Sequence, residues 1–347
     1  MDSHYSELDS QILDYLYVPL IATAQKEDFE WDMTPREREI LAEAWEVFEA
    51  LQQDLAPLKT RIEAALPFTK VGLSLAHLAY FYLLDQGKRP SSWEEFLNQL
   101  ASLSEGDLLF CLSVGLSVEL DREIEDTQVS LIAAIEQSDM KPAEKWYWSQ
   151  AVWHPLETMQ EITDLLSEIG VRYQPYFDKY QKEREAFAAR IDLEELMNAV
   201  PHVQNALGNA LSDGAIRLFV ISPWHTRFSL VGLDKLTNLG LIVTLSTRMD
   251  RVLQERNVFD MEDFVATLKV IGDETRYQIL VELLKPHAKN KDIAEKLGIT
   301  NAAVSFHTQK LITSQVLVYA GEDKPQKYQI NQRLLEALID KLQTDLT

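Results

Sequence analysis

The chain has 347 residues, with 33 Lys/Arg against 55 Asp/Glu, a formal net charge of −22 and 46% hydrophobic content. That length suits two or three domains with ample core, and the composition excludes a disordered or fibrous chain. The single cysteine, Cys111, excludes an internal disulfide, and the longest strongly apolar run, residues 71–84, falls short of the roughly 20 residues that a membrane span needs.

The start of the chain, Met1 to Glu7, is acidic and lacks the basic and apolar regions of a signal peptide, so a cytoplasmic protein with no membrane partner is expected. Charge is unevenly distributed. Residues 266–347 carry 11 Lys/Arg and 10 Asp/Glu, a net of +1, which leaves residues 1–265 at −23. The acidic part either serves solubility or keeps itself away from phosphate backbones.

Residues 1–210 read almost wholly as helices. Arg36–Leu55 sets Ile40, Leu41, Ala44, Trp45, Phe48 and Leu51 at helical spacing, which makes one apolar face. The same period recurs over Val71–Asp85, Ser92–Leu103, Val118–Gln137, Glu157–Ile169 and Tyr176–Ala210. Breaks are expected at Pro67, Gly87 with Pro90, Gly106, Pro142, Pro155, Gly170 and Pro175. Ser91-Ser92 ahead of Trp93, Glu94 and Glu95 is predicted to cap a helix.

Past Asp213 the pattern changes to β-branched and aromatic runs. Strands are predicted over Ala215–Ser222 and Leu241–Ser246, with Arg227–Gly232 as a third. The polar stretch Arg248–Asn257 reads as a connector, and Asp260 as the cap of a helix over Met261–Ile271. The expected architecture is mainly α. It comprises a mostly helical regulatory or effector domain over 1–250, with a small β element near 215–246, and a C-terminal α+β domain over 260–347.

No catalytic constellation stands out in residues 1–250. His77, His154, His202 and His225 lie far apart, without HExxH spacing or cysteine partners, and no glycine-rich phosphate loop follows a strand. No catalytic residue, metal site or cofactor is therefore assigned. Cys111 lies in an apolar run and reads as a buried structural thiol. Trp146, Trp148, Trp153 and His154 form an aromatic cluster that suits either ordinary helix packing or a pocket for a small-molecule effector.

The C-terminal stretch is the most specific. Asp273 is predicted to cap a helix over Glu274–Leu284, with Tyr277, Ile279, Leu280, Leu283 and Leu284 in the core and Pro286 at its end. Asn290 is expected to cap the next helix, which buries Ile293, Ala294 and Leu297. Gly298 makes a tight turn and Thr300 caps a second helix. Two helices joined by a short glycine-containing turn form a helix-turn-helix, whose second helix enters the DNA major groove.

At about 100° per residue, Val304, Thr308 and Leu311 face the core. The other side presents Asn301, Ala302, Ser305, Phe306, Gln309 and Lys310, with His307 at the margin. Asn and Gln suit adenine, Ala and Phe a thymine methyl, and Ser, His and Lys phosphate. Val316–Ala320 and Tyr328–Ile330 then form a hairpin wing. Its Lys324 and Lys327 can reach the backbone, and Glu322 and Asp323 oppose this. The last helix, Asn331–Leu346, aligns Leu334, Leu335, Leu338, Ile339, Leu342 and Leu346, a stripe too long for its own small module and suited to a partner.

Together, Ile271–Leu280, Ile293–Thr300 and Val304–His307 resemble the ArsR-type winged helix-turn-helix of bacterial transcriptional regulators, over roughly the last quarter of the chain. The resemblance implies a homodimer joined through the first and last helices of the module, here Phe264, Leu268, Leu335, Leu338 and Leu342. It also implies repression relieved by a signal. Metal-sensing members carry a Cys pair on the first helix of the reading unit, or Asp/His ligands on the last helix, and neither set matches here. Three positions depart from the pattern: Phe306 replaces a common basic residue, Thr308 a leucine and Gln315 a glycine. Residues 1–250 resemble, faintly, the helical domain that precedes this module in some bacterial regulators.

The expectation is a cytoplasmic, homodimeric repressor that binds an inverted-repeat operator in double-stranded DNA under control of a small-molecule effector. The alternative is a protein-interaction module, in which the acidic helical domain binds a protein and the winged helix serves docking. An enzyme would require His154, Glu157 and Trp224-His225 to gather around a polar cavity.

Overall fold

A computed structural model of the chain describes residues 6–24, 35–65, 68–193, 196, 216–255, 261–319 and 327–346. The chain divides into two compact units. The first comprises residues 1–198 and 204–252, and the second residues 199–203 and 253–347. The fold is mainly α.

In the first unit the helices are α1 (Glu7–Thr23), α2 (Pro35–Leu55), α3 (Lys59–Ala65), α4 (Leu75–Asp85), α5 (Trp93–Ala101), α6 (Glu105–Leu120), α7 (Gln128–Gln137), α8 (Pro142–Trp153), α9 (Pro155–Lys179) and α10 (Gln181–Arg190). Strands β1 (Ile216–Ile221), β2 (Phe228–Val231) and β3 (Leu241–Ser246) follow, and then α11 (Met249–Glu255). Helix α1 is the hub, because it packs against α2, α3, α4, α5, α9 and β1. Ile12, Leu13, Tyr15, Leu16, Tyr17 and Val18 are all buried, so this helix has no solvent side along its middle.

The sheet order is β1-β3-β2, with β1 parallel and β2 antiparallel to β3. Strand β1 is therefore an edge, and α1 covers it. Val220 donates its N–H to Ser10 Oγ at 3.1 Å, and Ser222, just past the strand, donates its own to Asp14 Oδ2 at 2.6 Å. Residues i and i+4 on a helix rise about 6 Å, close to the ~6.6 Å between i and i+2 on a strand. Two polar side chains one helical turn apart thus satisfy alternate amides of the edge, which otherwise invites pairing with another chain.

Asp14 anchors a buried polar cluster. Besides the Ser222 amide, it accepts from Ser222 Oγ at 2.7 Å and from the Tyr173 hydroxyl, and it lies 2.7 Å from His225 Nε2. Trp224 Nε1 donates to the Tyr173 hydroxyl at 2.9 Å. Burial alone pushes the Asp14 carboxyl up, but His225, Arg184 and Tyr173 together outweigh it and hold the group below its ordinary value.

Several expected breaks and spans differ. Gly170 and Pro175 lie inside the continuous helix α9. Gly170 is there for packing: a Cβ would come within 2.7 Å of Trp93 Nε1. Pro175 deprives the Val171 carbonyl of its amide, and Val171 is exposed, which leaves that position accessible to solvent. The expected helix Val118–Gln137 is two helices. Asp121 closes α6 in the left-handed region at φ 53°, and Ser130 N–H, donating to Thr127 Oγ1 at 3.2 Å, opens α7. Arg248–Asn257 is more than a connector: α11 forms with Met249 and Val252 buried, Arg251 exposed and the buried Asp250 paired with Arg190 at 2.5 Å. Ser92 caps α5 as expected, accepting from Glu95 N–H at 3.0 Å. Asp260 lies outside the described residues.

The second unit contains α12 (Met261–Ile271), α13 (Glu274–Leu283), α14 (Asn290–Leu297), α15 (Asn301–Thr313), the antiparallel pair β4 (Leu317–Tyr319) and β5 (Tyr328–Ile330), and α16 (Gln332–Leu346). Its core gathers Ile279, Leu280, Leu283, Ile293, Val304 and Leu311 with Leu317 and Tyr328 of the wing. Tyr277, expected in that core, is exposed.

Candidate DNA-binding surface

The geometry of α15 is set at its first turn. Thr300 Oγ1 accepts from Ala303 N–H at 3.1 Å, satisfying one of the amides that a helix start leaves open. Just upstream, Gly298 closes α14 at φ +66°, where a side chain would meet nothing within 4 Å. Glycine is therefore needed for its backbone conformation rather than for space. Ile299 N–H then reaches back to the Ala294 carbonyl at 3.0 Å, completing a helix C-cap that aims the chain into α15.

Val304, Thr308 and Leu311 are buried on one side of α15. Thr308, where leucine was the expected type, sits in the core because its hydroxyl donates to the Val304 carbonyl at 2.8 Å and leaves only its methyl to pack. The opposite side exposes Asn301, Ala302, Ser305, Phe306, Gln309 and Lys310, while His307 is half-buried at the margin. Phe306 is 59% exposed, an unusual setting for a large apolar ring. Lys310 Nζ lies 5.6 Å from its ring centroid and the His307 ring 5.5 Å away.

Asn290 is not the cap of α14. Lys289 occupies that position without a side-chain bond, and Asn290, the first helical residue, donates through Nδ2 to Ser305 Oγ at 3.2 Å. This bond fixes α14 to the exposed side of α15. Asp273 does cap α13, accepting from Arg276 N–H at 2.8 Å; that bond, with the charges of Arg276 and His307, holds its carboxyl below the usual range. The Arg276 side chain turns back to the carbonyls of Val270 and Lys269, both at 3.0 Å, and so closes the end of α12. In the segment Gly272 to Arg276, then, the arginine acts as a joint between two helices.

In the wing, Tyr319 pairs with Tyr328, and Lys327 is exposed with its Nζ 5.3 Å from the Tyr328 ring centroid. Lys324 lies outside the described residues. Gln315 takes φ +58°, which explains why glycine suits that position. Of the residues expected at a dimer contact, Phe264 and Leu338 are already buried within the chain, and Leu268, Leu335 and Leu342 are half-buried. Lys341 Nζ, 5.6 Å from the Phe264 ring centroid, brings α16 beside α12. Val265, Ile339 and Leu346 remain exposed on these helices.

The aromatic cluster of the first unit is divided. Trp148 is buried against Gly115, where a Cβ would approach its ring to 3.0 Å, while Trp146 and Trp153 are exposed. His154 is exposed at the junction of α8 and α9. Cys111 is buried, and burial pushes its thiol upward, which suits an inert side chain. His202 lies outside the described residues. No group of three or more His, Cys, Asp or Glu among the described residues is placed to hold a metal ion, and no single helix among them is long and apolar enough to cross a membrane. Sequence reasoning missed Asp14, Ser222 and Tyr173 as partners of His225. The one local signal was an acidic residue, Asp14, within an otherwise apolar run.

Residues 272–317 match the profile of winged helix-turn-helix DNA-binding domains. No curated protein and no solved structure matches the chain. The capped, solvent-facing α15, the turn at Gly298 and the wing agree with that profile: the second unit carries a winged helix-turn-helix DNA-binding domain, and the chain is a DNA-binding regulator.

Proposed function

We propose that this chain is a sequence-specific transcriptional regulator, a homodimeric repressor of the ArsR-like type, whose DNA binding responds to a signal received by the first unit. The observation that carries this reading is the exposed side of α15. There an exposed aromatic ring, Phe306, stands with Asn301 and Gln309, side chains that suit adenine edges, beside Lys310 for phosphate. Ser305, His307 and Lys327 add polar contacts at the rim.

A dimer would place two copies of α15 in successive major grooves, about 34–36 Å apart, on an inverted repeat. Leu335 and Leu342, with the exposed Ile339, Val265 and Leu346, offer the apolar face for that pairing. With the last 82 residues near neutrality and the rest at −23, affinity has to come from a few local contacts, and it falls steeply with salt. A gel shift on the region upstream of the chain's own gene tests the reading. Retarded bands that survive competitor DNA support it. Absence of sequence preference at moderate salt, with a stable protein partner recovered instead, favours the interaction-module alternative.

A further inference from the structure

We propose that the first unit holds a binding site for a small carboxylate anion, in the cavity lined by Tyr17, Leu20, Ile21, Trp224, His225 and Arg227. Its volume is about 80 Å³. That is several times the ~10–15 Å³ that one water requires, so the cavity accommodates a short organic acid.

Leu20, Ile21 and the Trp224 indole form an apolar wall, and Tyr17, His225 and Arg227 are the polar members. The backbone of Arg227 is pinned on both sides of its residue: its N–H donates to Ser246 Oγ and its carbonyl accepts from Ser246 N–H, each at 2.8 Å. The guanidinium lies 4.2 Å from the Tyr17 ring centroid, and Nη1 donates to the Val71 carbonyl at 3.1 Å. Gly72, at φ +77°, makes room for it, since a Cβ there would fall 2.3 Å from Nη2. This is a preset cation rather than a wandering surface arginine.

Among the described residues no carboxylate pairs with Arg227. The buried acid of this region, Asp14, is already committed to Ser222, Tyr173 and His225, and also feels the charge of Arg184. Nearby, His77 packs 4.5 Å from the Tyr17 ring. Burial drives its imidazole well below the ordinary histidine range, with Arg227 and His225 adding to the shift, so the ring is neutral. Its Nδ1 faces the Ser74 N–H, which can only donate, so the proton resides on Nε2. That Nε2 is buried and has no partner among the described residues.

The cavity thus presents a guanidinium that no described carboxylate neutralises, with the neutral His77 ring behind Tyr17 adding no opposing charge. An anion in the cavity supplies that counter-charge. A carboxylate fits the planar fork of arginine, and the Leu20, Ile21 and Trp224 wall takes a short hydrocarbon body. The ligand's consequence for DNA rests on the regulator reading; its binding does not, and is measured without DNA.

All seven tryptophans precede residue 253, so intrinsic fluorescence follows the first unit in the full-length protein. The test is thermal unfolding by this signal at fixed ionic strength, with millimolar butyrate, butyramide or inorganic phosphate. Butyrate should raise the unfolding temperature saturably, and butyramide and phosphate should not. Arg227→Gln should weaken butyrate about 10–100-fold, as expected for a lost charge-assisted hydrogen bond. If that variant does not fold, Leu20→Trp, which fills the cavity, should abolish the response. No saturable effect of butyrate, an equal effect of butyramide or phosphate, or unchanged binding in whichever variant folds overturns the proposal.

Discussion

Each of the two units is held together internally by a different kind of contact. In the second, the decisive polar bonds are local: Thr300 with Ala303, Asp273 with Arg276, and Thr308 with Val304, three or four residues apart. In the first, Asp14 meets Tyr173, Ser222 and His225 across 159, 208 and 211 residues. Local caps form with their own helix and contribute about 1 kcal/mol each. A buried carboxylate with several distant donors is all or nothing, because each donor left without it is orphaned in a dry interior. One unit displays its chemistry on a surface, and the other encloses it.

The sharpest way to break the contrast is Asp14→Ala. It should destabilise the first unit by about 3–5 kcal/mol, the cost of removing one partner from a buried charged cluster. Denaturant unfolding followed by tryptophan fluorescence measures it, and circular dichroism of the helices in the second unit should show no matching loss. The same group gives a pH signature. Its carboxyl lies below 3.8 in the fold, so its contribution is complete above pH 3.8 and fades as pH falls below that value. Asp14→Asn should flatten the stability profile in that acid window.

Next in size, Phe306→Ala and Gln309→Ala should each cost about 1–3 kcal/mol of specific DNA affinity and leave thermal stability unchanged. Equal affinity in both variants, measured by fluorescence anisotropy, would remove α15 from base reading. Thr300→Ala should cost about 1 kcal/mol of stability in the second unit, read by calorimetry. Gln315→Gly, the smallest effect, should stabilise that unit by under about 1 kcal/mol, since relief of the left-handed strain is offset by a more flexible unfolded chain.

The α15 surface was legible because helical periodicity alone separates Val304, Thr308 and Leu311 from Asn301, Phe306 and Gln309, and because caps are written in adjacent residues. The same local logic misplaced Gly170 and Pro175. A glycine that exists to admit Trp93 looks like one that ends a helix, and a proline is tolerated where water can serve the freed carbonyl. Asn290 misled in the same way, since its side chain serves Ser305 of the neighbouring helix and leaves its own helix uncapped.

The amino-acid order by itself determined the helical character, the position of the DNA-reading pair and the side of α15 that faces solvent, because each depends on spacing within a few turns. The tertiary structure alone decided which buried polar groups meet. Nothing near Asp14 in the chain points to Tyr173, Ser222 or His225, and nothing near Arg227 reveals that its guanidinium lies against the Tyr17 ring with no described carboxylate beside it, because the pairing of polar groups is a property of the assembled interior.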